Sequence, residues 1–237
     1  MKTDNSLQKE IELYLEEEDL DKEKIRNFFE GKLADISKTR LYEFSKLMAY
    51  YRCAMMEVET KLNVLDVEFS LQHDRNPIND IKVRLKSFKS IKEKLERQNL
   101  PFDLTSMEEN LNDIAGVRVV CSFPADVYML ANALLKQDDI TLVSKKDYIK
   151  NPKPNGYRSL HMIITVPIFL EHEKKLMKVE IQLRTIAMDV WASLEHQLRY
   201  KKDSVFTKEM ADELLYCAKL SEELDDKMDN LRSLTLQ

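Results

Sequence analysis

The longest regular hydrophobic pattern in the chain is helical. Between Thr39 and Gln72, Leu41, Phe44, Leu47, Met48, Tyr51, Met55, Val58, Leu62 and Leu65 recur at three- and four-residue steps. That period predicts one long amphipathic helix. Leu7, Ile11 and Tyr14 add a short apolar face, so residues 1 to about 72 read as helical. A polar break follows from His73 to Asn79, containing Pro77, and a second helix is predicted from Asp80 to Gln98, ending before Pro101. Then the period changes. Ile114–Phe123, Asp139–Val143, Arg158–Val166 and Leu176–Arg184 are β-rich, whereas Pro124–Lys136, 186–200 and 207–231 return to helix. The expected fold is α+β: a mixed sheet of about four to five strands flanked by helices, with helical arms at both ends. The expected division is an N-terminal helical region 1–78, a core 79–203 and a C-terminal helix 204–237.

Composition narrows this. Apolar residues make up 43% of the 237 positions, enough for a core, and charged residues 33%; only 3 glycines are present. An all-β fold needs more turn glycine than that. The net charge of −5 argues against a bulk nucleic-acid binder, so any polyanionic ligand must meet a local basic patch. Cys53, Cys121 and Cys217 are far apart and fit reduced thiols, and the four histidines show no metal-ligand spacing. No apolar run is long enough for a membrane span and no signal peptide is evident, which leads us to expect a cytoplasmic protein.

Four stretches carry candidate chemistry. In the strand at 178–184, Lys178, Glu180, Gln182 and Arg184 share one face, placing a carboxylate, an amide and a guanidinium in a row. Asp113 precedes Ile114-Ala115-Gly116-Val117-Arg118; two carboxylates at a sheet suit Mg²⁺ when a nucleotide phosphate completes the shell, and Gly116 permits close approach. On the helix predicted at 80–98, Lys86, Ser90, Lys94 and Arg97 fall on one face, with Arg84 nearby, as a polyphosphate clamp would need. The stretch Lys145–His161 holds Lys145, Lys146, Lys150, Lys153 and Arg158 against one acid, Asp147. It is the basic patch that the acidic total concealed, and Tyr157, after Gly156, is placed to stack on a base. Each stretch alone also fits a blander role: a solvated strand or helix face, a turn aspartate, a core tyrosine, a hydrogen-bonded interior histidine. The conjunction, in this order, is what is informative.

Together, Asp-Ile-Ala-Gly-x-Arg, Gly-Tyr-Arg-Ser-Leu-His and Glu-Ile-Gln-Leu-Arg-Thr resemble the synthetase domain of the Rel/Spo family over roughly residues 40–230. In length and layout the chain resembles the small alarmone synthetases. Asn151–Ser159 and Arg184–His196 are more similar to one of that group's two common branches. The resemblance implies a nucleotidyltransferase-like synthetase fold and a GTP pyrophosphokinase, moving the pyrophosphate of ATP to the 3′-hydroxyl of GTP or GDP and making (p)ppGpp, the stringent-response alarmone. It implies that Arg84 and Arg118 sandwich adenine, and that Lys86, Ser90, Lys94 and Arg97 hold the ATP phosphates. Asp113 and Glu180 would bind Mg²⁺, with Glu180 also the base. Tyr157 would stack on guanine, while Lys146, Lys153, Arg158 and His161 hold the acceptor phosphates. Gln182, Asp189 and Glu195 match guanine-side or supporting positions. It further implies a homotetramer built through terminal helices; nothing in the sequence indicates regulation by RNA. The longer relatives carry a hydrolase with a metal-binding His-Asp motif. Here His73-Asp74 is a lone dipeptide, so synthesis without hydrolysis is expected.

Two other readings stay open at this level. A nucleotidyltransferase also uses carboxylates on a small sheet, although this chain has neither the Gly-Ser dipeptide usual there nor a pair of acids two residues apart near Asp113. A nucleotide- or RNA-binding module without catalysis is the other, against which Asp113 and Glu180 both stand.

Overall fold

The computed structural model describes residues 34–73, 76–199 and 206–235. The short apolar face predicted at Leu7, Ile11 and Tyr14 lies outside them, as does Asp74. Helix α1 spans Ala34–His73. Its periodic residues, among them Phe44, Leu47, Tyr51, Val58 and Leu62, are buried in one core with the sheet.

The segment predicted as a single helix from Asp80 is divided. Ile78–Leu85 is strand β1, and helix α2 begins only at Phe88 and ends at Arg97. The backbone chemistry explains the difference. Asn76 Oδ1 accepts from Ile78 N at the start of the strand. Ser87 is the N-cap of α2, its side chain accepting from the backbone N–H of Ser90. Asp80, Lys82 and Arg84 alternate with Ile81, Val83 and Leu85, a period of two. Because β1 is an edge strand with both faces part-exposed, that alternation is diluted by charge and imitates a helix face.

A short helix not predicted from the pattern, α3 (Leu104–Asn110), is capped by Asp103, whose side chain accepts from Ser106 N. Strand β2 (Ala115–Cys121) leads to α4 (Pro124–Leu135). Strand β3 runs Thr141–Asp147, longer than expected, so Lys145 and Lys146 stand on a strand rather than in a loop. Strands β4 (Leu160–Phe169) and β5 (Lys174–Thr185) follow, then α5 (Ile186–Arg199) and α6 (Lys208–Thr235).

The five strands are ordered β1-β2-β5-β4-β3. Only the β2–β5 pair is parallel, which makes the sheet mixed. One face carries Val117, Val119, Met162, Ile164, Val179, Ile181 and Leu183 into a core shared with α1 and with Val127, Leu130 and Leu134 of α4. The opposite face therefore holds the polar alternate positions. Register aligns Lys82, Arg118, Gln182, His161 and Lys146 in one row across all five strands. The adjacent row places Gly116 between Arg84 and Glu180.

Helix α6 packs through Leu214, Ala218 and Asp225. Trp191 Nε1 of α5 donates to Leu214 O at 2.8 Å. Leu220 and Leu224 stay exposed, joined by Tyr216, Met228 and Leu231. The outward apolar stripe of α6 is thus separate from its packed face.

Candidate active site

The polar row and its neighbours build one site. Asp113 lies just before β2, where Lys86 Nζ stands 2.8 Å from its Oδ2 and Lys94 Nζ 2.7 Å from its Oδ1. Lys86 comes from the β1–α2 link and Lys94 from α2, so the strand–helix break at Ser87 is what brings both ammoniums to one carboxylate. Burial alone would push the Asp113 carboxyl up; the two lysines outweigh it and hold the carboxyl below the usual range.

Glu180 is held in a similar way. Burial opposes its charge, but hydrogen bonds from His161 and Gln182 leave its carboxyl below the usual range. Gln182 Nε2 donates to Oε2 at 2.9 Å, and His161 Nδ1 lies 3.5 Å from Oε1. The Asp113 charge is near enough to act on Glu180 in the opposite direction. Both carboxylates are therefore ionised at neutral pH and share one neighbourhood. Between Glu180 and Arg84 the sheet face is open. A Cβ added to Gly116 would meet nothing closer than Arg84 O at 3.5 Å.

The pair suits a hard divalent cation. Carboxylate oxygens are the donors Mg²⁺ takes, usually one or two from protein with the rest from water and phosphate. Asp113 Oδ1 is buried without a well-aligned hydrogen bond, although the Lys94 ammonium stands beside it. Among the described residues no group of three or more His, Cys, Asp or Glu side chains is arranged as a complete metal site. Ligand oxygens would have to finish the shell.

On the α2 side a cleft of about 790 Å³ opens, lined by Arg84, Lys86, Ser90, Arg97 and His196 together with the acids Glu93 and Glu96. It gathers the residues expected to hold the ATP phosphates except Lys94, which faces Asp113. Arg118 sits on β2 with Nη1 3.4 Å from Asp189.

On the other side lies the stretch 148–161. Tyr157 packs edge-on against Tyr148 and His161, with ring centroids 6.1 and 5.7 Å apart. Lys153 Nζ stands 4.8 Å from the rings of both tyrosines. Asp147 anchors the start of this stretch, accepting from Tyr128 Oη and from the N–H groups of Ile149 and Lys150. Asn155 ties its middle to α5, donating to Glu195, which is also paired with Arg199. Gly156 adopts φ 89° and rests on α6; a Cβ there would fall 2.4 Å from Ala218 Cβ.

Arg158 departs from expectation. Its side chain is only 8% exposed and faces α6, 3.6 Å from both Glu222 and Asp225. It serves to hold α6 instead of joining Tyr157 and His161. Asp189 is likewise engaged within the protein, accepting from Arg184 and neighbouring Arg118. The strand alternation places Arg184 on the Glu180 face without indicating its partners. In the structure it contacts Tyr157, Gln182 and Asp189 at once. The period-two alternation from Glu180 was the signal for it. Nothing in the sequence marked Asp225 as the partner of Arg158.

A family model describing the region found in RelA/SpoT proteins matches residues 83–205, just over half of the chain. The chain belongs to the RelA/SpoT family. It is 44% identical to the GTP pyrophosphokinase YwaC of Bacillus subtilis over 194 residues, covering 82% of this chain and 92% of that protein. The crystal structure of small alarmone synthetase 2 from Bacillus subtilis superposes with a TM-score of 0.73 at 42% identity, covering 81% of this chain and 98% of that one. Small alarmone synthetase 1 from the same organism, bound to its product pppGpp, gives 0.75 at 32% identity, covering 82% and 99%. The five-stranded mixed sheet with flanking helices is thus the fold of these RelA/SpoT-family synthetases, and the family model begins inside β1, at Val83.

Proposed function

We propose that this chain is a GTP pyrophosphokinase that transfers the pyrophosphate of ATP to the 3′-hydroxyl of GTP or GDP, yielding AMP and (p)ppGpp. The observation that carries the reading is Glu180: an ionised, part-buried carboxylate between a cationic cleft and an aromatic–basic stretch. A base in that place meets both halves of a phosphoryl transfer. The names of its relatives, a GTP pyrophosphokinase and two alarmone synthetases, agree with it.

ATP is assigned to the α2 cleft, its adenine toward Arg84 and Arg118 and its phosphates on Lys86, Ser90, Lys94 and Arg97. The acceptor base is assigned to Tyr157, with Lys146, Lys153 and His161 toward its phosphates. Glu180 takes the proton of the 3′-hydroxyl as that oxygen bonds to the β-phosphorus. The bond from the β-phosphorus to the α–β bridging oxygen breaks, and AMP leaves with the electron pair. Asp113 and Glu180 would hold Mg²⁺, which when bound neutralises polyphosphate charge. Lys86 and Lys94 would then be released from Asp113 toward the phosphates. Nucleotide chromatography of a reaction with ATP and GTP tests this. AMP and a 3′-pyrophosphorylated guanosine nucleotide should accumulate together and the alarmone should not decay. Release of pyrophosphate would mean nucleotidyl transfer, and no turnover would mean a binding module.

Tyr157→Ala should weaken acceptor use far more than ATP binding. A lost base stack is worth ~1–3 kcal/mol, about one to two decades in affinity. An unchanged KM for GTP with a collapse of ATP binding would reverse the two pockets.

We further propose a homotetramer in the cytoplasm. The three cysteines are free thiols, and no described helix is long and apolar enough to cross a membrane. Ile186, Val190, Leu194 and Leu198 form an exposed stripe on α5, and Tyr216, Leu220, Leu224 and Met228 form another on α6. Surface of that kind fits burial against another copy. Light scattering at micromolar concentration should give a mass of about four chains; 27.9 kDa, the mass of one chain, would refute assembly.

A further inference from the structure

Arg184 is a buried guanidinium, its side chain 6% exposed, on the same strand face as Glu180. Its Nη2 donates to Tyr157 Oη at 2.7 Å and to Gln182 Oε1 at 3.0 Å. Its Nη1 donates to Asp189 Oδ1 at 3.1 Å, which supplies the countercharge. A guanidinium only donates, and that fixes the direction of every bond beyond it. Gln182 must present its carbonyl oxygen to Arg184, so its amide N–H faces Glu180 Oε2, 2.9 Å away. Tyr157 must accept from Arg184, so its single hydroxyl hydrogen is free to go to His161 Nε2, 2.7 Å away. A neutral imidazole that accepts at Nε2 carries its proton on Nδ1. That nitrogen faces Glu180 Oε1 at 3.5 Å.

We propose that Arg184 is the positioning residue of the catalytic base, acting through one hydrogen-bond chain that ends on Glu180 Oε2 and a second that brings His161 Nδ1 to within 3.5 Å of Oε1. One chain runs through Gln182. The other runs through the Tyr157 hydroxyl and His161, which makes the hydroxyl of Tyr157 a part of the machinery distinct from its ring. The Glu180 carboxylate is thereby held in one rotamer, facing the gap above Gly116, before any nucleotide binds. The proposal rests on Glu180 being the base. It adds that the guanidinium and the hydroxyl of Tyr157 act on the chemical step, the ring alone being needed to hold the acceptor.

Two measurements test it. In steady-state kinetics, Tyr157→Phe keeps the ring and removes one oxygen. It should lower kcat about tenfold, a part of the ~10²–10⁴-fold that a positioned base supplies, with KM for the acceptor changed less than about twofold. Arg184→Lys keeps a charge but puts its donors on a single nitrogen, which cannot replace the two guanidinium nitrogens that reach Asp189 on one side and Tyr157 and Gln182 on the other, and should lower kcat further. Melting curves establish that each variant is folded, and Tyr157→Phe is the decisive variant should Arg184→Lys not fold. A rise in KM with kcat intact in Tyr157→Phe would overturn the proposal, since the hydroxyl would then serve acceptor binding. The second measurement is independent of turnover. Nitrogen-15 NMR of ring-labelled histidine, with His161→Gln used for assignment, should show His161 protonated on Nδ1 in the nucleotide-free protein. Tyr157→Phe should lose that preference. Protonation on Nε2 in the wild type would overturn the chain through Tyr157. Glu180→Gln separates the two layers. Full turnover in that variant refutes the base, and with it the kinetic role of Arg184, whereas the NMR result reports on the hydrogen-bond chain alone.

Discussion

Glu180→Gln and Asp113→Asn should each lower turnover by ~10²–10⁴-fold, or ~3–5 kcal/mol in the barrier, while leaving the fold intact. The two losses have different physical origins. Glutamine at 180 is nearly isosteric, but it keeps one acceptor oxygen where the carboxylate offered two, so only one of the contacts from Gln182 and His161 survives. What disappears is a group able to take the proton of the 3′-hydroxyl, along with one negative charge. At position 113 the amide leaves the Lys86 and Lys94 ammoniums, 2.8 and 2.7 Å from the present carboxylate, facing a neutral group. Those lysines then have no anion holding them in the nucleotide-free protein, and a divalent cation loses one of its two carboxylates. Higher Mg²⁺ should therefore recover part of the activity of Asp113→Asn and none of the proton-transfer defect of Glu180→Gln. Rates near wild type in either purified, folded variant would remove that residue from the chemistry.

Much of this arrangement was legible because sheets enforce a period of two. Once Val179, Ile181 and Leu183 are read as core, Glu180, Gln182 and Arg184 must share the other face, as they do. The order of motifs along the chain was likewise enough to bring Asp113, Arg118, Tyr157, His161 and Glu180 to one side of one sheet. The strand β1 was not legible, because an edge strand that buries neither face cleanly leaves Lys86, Ser90 and Lys94 at helical spacing by coincidence of two elements. The structure keeps the chemical consequence of that misreading, since Lys86 and Lys94 do converge, though from a link and a helix. Partners distant in sequence were beyond pattern reasoning altogether. Arg158 looked like one more cation of a basic stretch, and only the placement of α6 shows it to be buried against Asp225.

That buried pair gives the largest expected effect on stability. Asp225 is 5% exposed, and Arg158 8%. Asp225 also accepts from Thr185 Oγ1 at 2.9 Å, and Thr185 Oγ1 in turn accepts from Met188 N at the start of α5. One carboxylate thus joins α6, the end of β5, the start of α5 and the residue after Tyr157. Asp225→Ala leaves the Arg158 guanidinium buried with Glu222 as its remaining acid at 3.6 Å, and it removes the acceptor of Thr185. Breaking a buried pair from one side costs about 3 kcal/mol, a fall in Tm of roughly 6–12 °C for a domain of this size. The direction of the Asp225 titration supplies a second check. Burial pushes its carboxyl up, against the lowering by Thr185 and Arg158. Stability linked to this group is therefore full below the ordinary carboxylate value and is lost as pH rises through the raised one. The deficit of Asp225→Ala relative to wild type should accordingly widen as pH falls toward that value. Replacing both partners, Arg158→Met with Asp225→Ala, should cost less than the sum of the single changes, because no unpaired charge is left inside. Additive losses, or a single variant as stable as the wild type, would show that α6 is held by Ala218, Leu214 and the Trp191 contact without help from the charges.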